Sequence, residues 1–183
     1  MPEQDRSDPA LACRAQAAAL PLSGLLLLCR IAPKAHKDVD VLFYGCLNPR
    51  RNKVLRDIHE RGHRVKILNG VYGRERDEWI ARSKLVLNHH FYETQIFEIV
   101  RTFYLLTNAI PVAAEVNPTT QIDDCYRDGL LGLPYDELAG GITEILQDDA
   151  ALAELGARGK ATIEQRPQTE LMKALIPPIP RAA

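Results

Sequence analysis

The sequence predicts an α/β fold, a doubly wound parallel sheet with helices on both faces. Two observations predict it. From Val39 onward, short and nearly continuous apolar runs recur, each closed by glycine, asparagine or a polar loop. Strands buried on both faces read this way. Segments with helical spacing alternate with these runs, and the connections between them are short.

Each element has its own signal. Val39–Gly45 (VDVLFYG) is apolar, rich in Val and aromatics, and ends on glycine, which predicts the first strand. Pro49 suits the first turn of a helix that runs to Arg61, with Val54, Leu55 and Ile58 on one face and Gly62 as its stop. Arg64–Leu68 is the second strand, and 74–83 a short helix with Trp79 and Ile80 inward. Lys84–Asn88 is the third strand. The helix over 96–108 should turn Ile96, Val100, Phe103 and Leu105 or Leu106 inward. Ile110–Glu115 is the fourth strand, 117–129 reads as irregular, and 130–134 (LLGLP) as a short fifth strand. Two closing helices, over 135–148 and 149–165, carry Asp caps near their starts, and the Pro-rich end (IPPIPRAA) cannot continue a helix.

A chain of 183 residues suits one domain. The divisions read as a poorly defined segment and linker over 1–37, the α/β domain over 38–168, and a Pro-rich tail over 169–183. With 46% hydrophobic and 26% charged residues, the chain is too apolar to be disordered. Lys and Arg (23) balance Asp and Glu (24), which argues against a generally basic nucleic-acid binder. The longest apolar stretch, Leu20–Cys29, is interrupted by Pro21, Ser23 and Gly24. It is about half of what a membrane span needs. Mixed charge before it argues against a signal peptide, and four scattered cysteines without a CxxC pair read as reduced thiols in a cytoplasmic protein.

In such sheets ligands bind at the carboxyl ends of the strands, so three loops matter. In the first (GCLNPRR), Gly45 permits close backbone approach, while Asn48, Arg50 and Arg51 offer donors beside a helix start. It reads either as a diphosphate clamp or as a solvated helix start. It matches neither the Walker pattern nor GxGxxG, which argues against a dinucleotide oxidoreductase. The second (NGVYG) places Val71 and Tyr72 between Gly70 and Gly73, and either wraps a base or is a plain turn. The third is the densest, with Asn88, His89, His90, Phe91, Tyr92 and Glu93, followed by Phe97, Glu98 and Arg101. Glu98 and Arg101 share a helix face, so Glu98 either accepts from ribose hydroxyls or pairs with Arg101. Neighbouring His89 and His90 do not make a metal site, because adjacent strand residues point opposite ways and no HxxxH or acidic cluster completes one. One of them suits a phosphate or sugar contact or a general base. No GxSxG elbow is present, which argues against a serine hydrolase.

Three stretches, 38–51, 65–115 and 128–146, together resemble the C-terminal, nucleotide-sugar-binding half of a GT-B glycosyltransferase. The likeness is to the bacterial group with glycosyltransferase-group-1 and spore-maturation-type C-terminal domains, over about 39–166. The resemblance implies a single Rossmann-like half domain that binds a nucleotide diphosphate sugar, with the acceptor on a separate half. It implies no bound metal and no cofactor, since cationic side chains and helix N-termini stabilise the leaving diphosphate. By resemblance Gly45, Asn48 and Arg51 lie near the diphosphate, Val71, Tyr72 and Gly73 near the base, and 93–98 near the sugar and ribose. The candidate catalytic residues are His89, Glu93 and Arg101. The candidate substrate-binding residues are Gly45, Asn48, Arg50, Arg51, Val71, Tyr72, Gly73, Asn88, Tyr92, Phe97 and Glu98. Two departures stand out. Glu93 and Glu98 are five apart where many retaining relatives have glutamates eight apart, and residues 1–37 are too few for an acceptor half. The alternative is a non-catalytic nucleotide-binding or interaction module derived from the same fold.

Overall fold

The computed structural model describes residues 28–92, 97–118, 120 and 122–165. Glu93, Ile96 and the tail lie outside the described residues. The elements run β1 (Val39–Tyr44), α1 (Pro49–Glu60), β2 (Val65–Leu68), α2 (Gly73–Ala81), β3 (Ser83–Asn88), α3 (Ile99–Thr107), β4 (Val112–Glu115), α4 (Asp124–Arg127) and β5 (Leu131–Leu133). A 3-10 turn (Tyr135–Glu137), α5 (Leu138–Ile145) and α6 (Asp149–Glu164) follow. The sheet is parallel throughout, in the order β2-β1-β3-β4-β5. Val41 pairs with Val65 on one side and Leu85 on the other, which puts β1 between β2 and β3.

Local chemistry explains the elements that flank the carboxyl edge. Asn48 caps α1 by accepting from the Arg51 N–H at 2.8 Å, with Pro49 at the first helical position. Gly62, at φ +91, ends that helix in a conformation that favours glycine. Asp148 caps α6 by accepting from the Ala150 and Ala151 N–H groups. The other expected Asp cap is absent, because the 3-10 turn precedes α5 and the residue before α5, Glu137, makes no side-chain cap. The region read as irregular contains α4, started by the Asp123 side chain.

Two cores sandwich the sheet. Leu42, Val86, Ile80, Phe103 and Leu106 fill the face covered by α2 and α3. Val41, Phe43, Leu85, Ile58, Leu138 and Ile142 fill the face covered by α1 and α5. Each fully buried aliphatic or aromatic side chain contributes about 1.5 to 3 kcal/mol of transfer free energy. Val100, expected inward, is 63% exposed. Full burial on α3 begins at Thr102, and in its first turn Val100 faces outward while Ile99 packs against the core. Residues just before β1 belong to the packed body. Ile31 is buried, and the Arg30 and Ile31 N–H groups both donate to Asn108 Oδ1 at 2.9 Å.

Candidate functional site

The strand order reverses between β1 and β3. The chain leaves β1 toward β2 on one side and returns across it to β3 on the other. Loops after these two strands diverge and leave a crevice at their carboxyl ends, the place where doubly wound sheets hold ligands. The first and third candidate loops meet there.

Their meeting is specific. Three successive carbonyls of the loop after β3 each accept from a side chain of the β1–α1 connection. Arg51 Nη2 donates to the His89 carbonyl at 2.7 Å, Arg50 Nη1 to the His90 carbonyl at 3.2 Å, and Asn48 Nδ2 to the Phe91 carbonyl. Arg51 Nη1 also donates back to the Cys46 carbonyl at 2.9 Å. These donors are therefore engaged within the protein, and the Arg51 side chain is only 3% exposed.

Arg101 sits nearer to solvent. Its Nη2 is 2.8 Å from Glu98 Oε2, and Arg51 Nη2 is 3.1 Å from Glu98 Oε1, so one carboxylate bridges two guanidinium groups. Arg101 Nη1 also donates to Asn88 Oδ1 at 3.3 Å, and Asn88 Nδ2 donates to Thr102 Oγ1. The sequence left Glu98 between a ribose contact and an ion pair; the ion pair is present. Gly45 lies against this group at φ +136, and a Cβ there would stand 3.1 Å from Arg101 Nη2.

Beside the bridge opens a cleft of about 830 Å³, lined by Tyr44, Arg76, Phe97, Glu98, Arg101 and Tyr104 with apolar neighbours. The Arg101 guanidinium lies 4.8 Å from the centre of the Tyr44 ring, and that of Arg76 lies 4.9 Å from the Tyr104 ring. The Tyr44 hydroxyl is buried with no hydrogen-bond partner among the described residues. Burial pushes its pKa up to about 12, so it remains a phenol that can donate. The sequence analysis placed Tyr44 in the apolar run of β1 and gave Arg76 no role. Their signals were a polar tip at the last residue of a buried strand and a charge one turn into α2.

The histidines face elsewhere. His89 is fully buried with its ring edge-on to Phe43 at 5.0 Å, and neither ring nitrogen has a hydrogen-bond partner among the described residues. Burial, with the nearby Arg51 charge, pushes its pKa down to about 3, so the ring is neutral. His90 is also buried, with Nδ1 3.6 Å from Glu115 Oε1. Glu115 closes β4 with no exposed surface and accepts from Arg50 Nη1 at 2.8 Å, Arg50 Nη2 at 2.5 Å and the His90 N–H at 3.0 Å. Burial alone would raise the Glu115 carboxyl, but these bonds hold it below the ordinary range. The sequence reading missed Glu115, although an acid ending the apolar run IPVAAE was its signal.

The second loop stands at the rim. Gly70 and Gly73 adopt positive φ, Val71 packs against the core, and Tyr72 is 78% exposed. Tyr92 is exposed and edge-on to Phe91, while Phe97 is buried in the cleft wall. Among the described residues no group of three or more His, Cys, Asp or Glu could hold a metal ion, and no helix is long and apolar enough to cross a membrane.

The architecture matches solved structures. TarM superposes with a TM-score of 0.56 at 15% identity, over 79% of this chain and 36% of TarM. Sucrose-phosphate synthase from Thermosynechococcus elongatus superposes at 0.51 and 16% identity, over 75% of this chain and 45% of the synthase. The chain has the Rossmann-like fold of a GT-B glycosyltransferase domain. In sequence, the chain is 32% identical to uncharacterized protein L138 of Acanthamoeba polyphaga mimivirus and 28% identical to L140 of the same virus. Each alignment covers 61% of this chain, but 13% of L138 and 38% of L140. The chain thus spans less than half the length of each of these proteins. The resemblance read from sequence pointed to a bacterial group, whereas these relatives are viral. No family model matches the chain.

Proposed function

We propose that this GT-B-type domain binds a nucleotide diphosphate sugar in the cleft at the β1/β3 crossover and presents the sugar for transfer to an acceptor held by a separate half. The observation that carries the reading is the bridge of Arg51, Glu98 and Arg101 beside Gly45, opening into a cleft of about 830 Å³. Guanidinium groups match phosphate oxygens bidentately, and a bare glycine lets the backbone approach them. Arg101, with its side chain 15% exposed, is the group best placed to meet the diphosphate and stabilise the charge that develops as it leaves. Arg51 backs it from beneath. Glu98, 36% exposed, would exchange its ion pair for ribose hydroxyls. Tyr44 lines the cleft with a buried hydroxyl that has no hydrogen-bond partner among the described residues, and Val71, Tyr72 and Gly73 would border the base. Glu93 remains the candidate for the donor sugar.

Exposed apolar residues support a covering half. Leu47, Tyr72, Tyr92 and Val100 are exposed on loops or a helix start at the carboxyl edge of the sheet, where Val100 also lines the cleft, and Ile67 is exposed on the edge strand β2. Apolar groups gathered at the rim of a site mark a surface that another body covers.

A second reading, a nucleotide-binding module that transfers nothing, is favoured by one observation: His89, a candidate base, is fully buried and neutral. Calorimetric titration with UDP, GDP, ADP, dTDP and CMP tests the first claim. Binding of one of them, weakened in Arg101→Ala, supports a donor site, and a folded chain that binds none of them overturns it. Release of free sugar from the matching nucleotide sugar separates a transferase from a silent module.

A further inference from the structure

The end of the β1–α1 loop and the first turn of α1 offer three side chains that look like ligand donors, yet all three reach into the loop after β3. Arg50 reaches the end of β4. Its guanidinium makes two bonds to Glu115, one to the His90 carbonyl, and stacks 3.9 Å from the Tyr135 ring centre. The Tyr135 hydroxyl donates to the Arg50 carbonyl at 2.9 Å, which fixes the backbone of the same residue. Glu115 in turn accepts from the His90 N–H. Both backbone polar groups of His90 are thus held by one ion pair, and the adjacent His89 carbonyl orients Arg51, which carries the Glu98 bridge.

We propose that Arg50 and Glu115 are a positioning pair: they set the His89–Phe91 backbone, and through the His89 carbonyl they set the Arg51–Glu98–Arg101 bridge that meets the diphosphate. The geometry of the pair stands by itself, and the ligand it serves rests on the donor reading above. A carboxylate with no exposed surface, bonded bidentately by a guanidinium, has one low-energy arrangement. Removing its charge leaves Arg50 without its anionic partner and the His90 N–H with a weaker acceptor. Supporting residues of this kind hold contacting groups within the narrow tolerance that recognition needs.

The test uses Glu115→Gln, which keeps shape, and Arg50→Lys, which keeps charge but loses the fork. Amide hydrogen exchange is followed at His90 and at the core amides of β3. Affinity is measured for the nucleoside diphosphate that binds best and for its parent nucleoside. Both variants are expected to exchange faster at His90 while the Val86 and Leu87 amides stay protected. Diphosphate affinity should fall about tenfold, the size of one lost charge-assisted contact, with nucleoside affinity unchanged. A merely structural pair would raise exchange everywhere or weaken both ligands equally, and that outcome overturns the proposal. So does unchanged exchange at His90 in Arg50→Lys, the variant better placed to stay folded. If the natural chain binds no nucleotide, the donor reading fails, and exchange at His90 still decides whether the pair positions the loop.

Discussion

Arg51 donates to the His89 carbonyl at 2.7 Å while pairing with Glu98 at 3.1 Å. One buried guanidinium thereby joins the loop after β3 to the start of α3. Because Arg51 is itself held by its neighbours, the more exposed of the two guanidinium groups, Arg101, is the one placed to exchange Glu98 for an incoming anion. Four predictions follow from this arrangement and its surroundings.

Arg101→Ala removes the more accessible guanidinium of the bridge without opening the core. Nucleoside diphosphate affinity should fall roughly ten- to a hundredfold, the loss of one or two charge-assisted bonds. The thermal midpoint should move little, because its ion pair with Glu98 is partly exposed. Calorimetry and a thermal scan on the same sample check both statements.

Gly45→Ala places a Cβ at φ +136, and 3.1 Å from Arg101 Nη2. Backbone strain of this kind costs about 1 to 3 kcal/mol. The urea midpoint should drop accordingly, and diphosphate binding should fall further than stability because Arg101 is displaced.

Gly156→Ala tests packing far from the cleft. A Cβ on α6 would lie 2.4 Å from the Ala109 carbonyl oxygen, which is backbone and cannot swing aside. Overpacking costs about 1 to 3 kcal/mol or more, so the unfolding midpoint should fall clearly. Nucleotide affinity measured well below that midpoint should be unchanged.

His89 supplies a pH dependence. Its folded pKa, about 3, lies below the unfolded value near 6.5. Between these values the unfolded chain binds the proton and the folded chain does not. Stability is therefore full above about pH 6.5 and is lost as pH falls toward 3, by at most about 1.4 kcal/mol per unit. Neither ring nitrogen has a hydrogen-bond partner among the described residues, so His89→Leu should fold at pH 7 and flatten this slope. Urea titrations at several pH values read it directly.

The alternation of strands and helices was legible because apolar runs and helical spacing are local signals. All five strands fall where those runs stand, and Pro49 and Gly62 mark the ends of α1 closely. Val100 was misjudged because periodicity reports a face and cannot tell where the opposing layer stops. The site was legible as loops and less so as roles. Asn48, Arg50 and Arg51 look like free donors in sequence, and only the tertiary approach of the two loops turns them toward carbonyls 38 to 43 residues away. Tyr44 was hidden because a strand end reads as core until the sheet order brings it to a crevice, and Glu115 because its partner Arg50 arrives from a different loop.

The central claim is that the crossover cleft holds a nucleoside diphosphate. Its most direct measurement is amide chemical-shift mapping during titration with the diphosphate that binds in calorimetry. The account predicts shifts gathered at Gly45, Arg76 and the 97–101 segment, abolished in Arg101→Ala. Shifts gathered instead in the separate groove of Asn52, Leu55, Arg56 and His59, or absent throughout a folded chain, would contradict it.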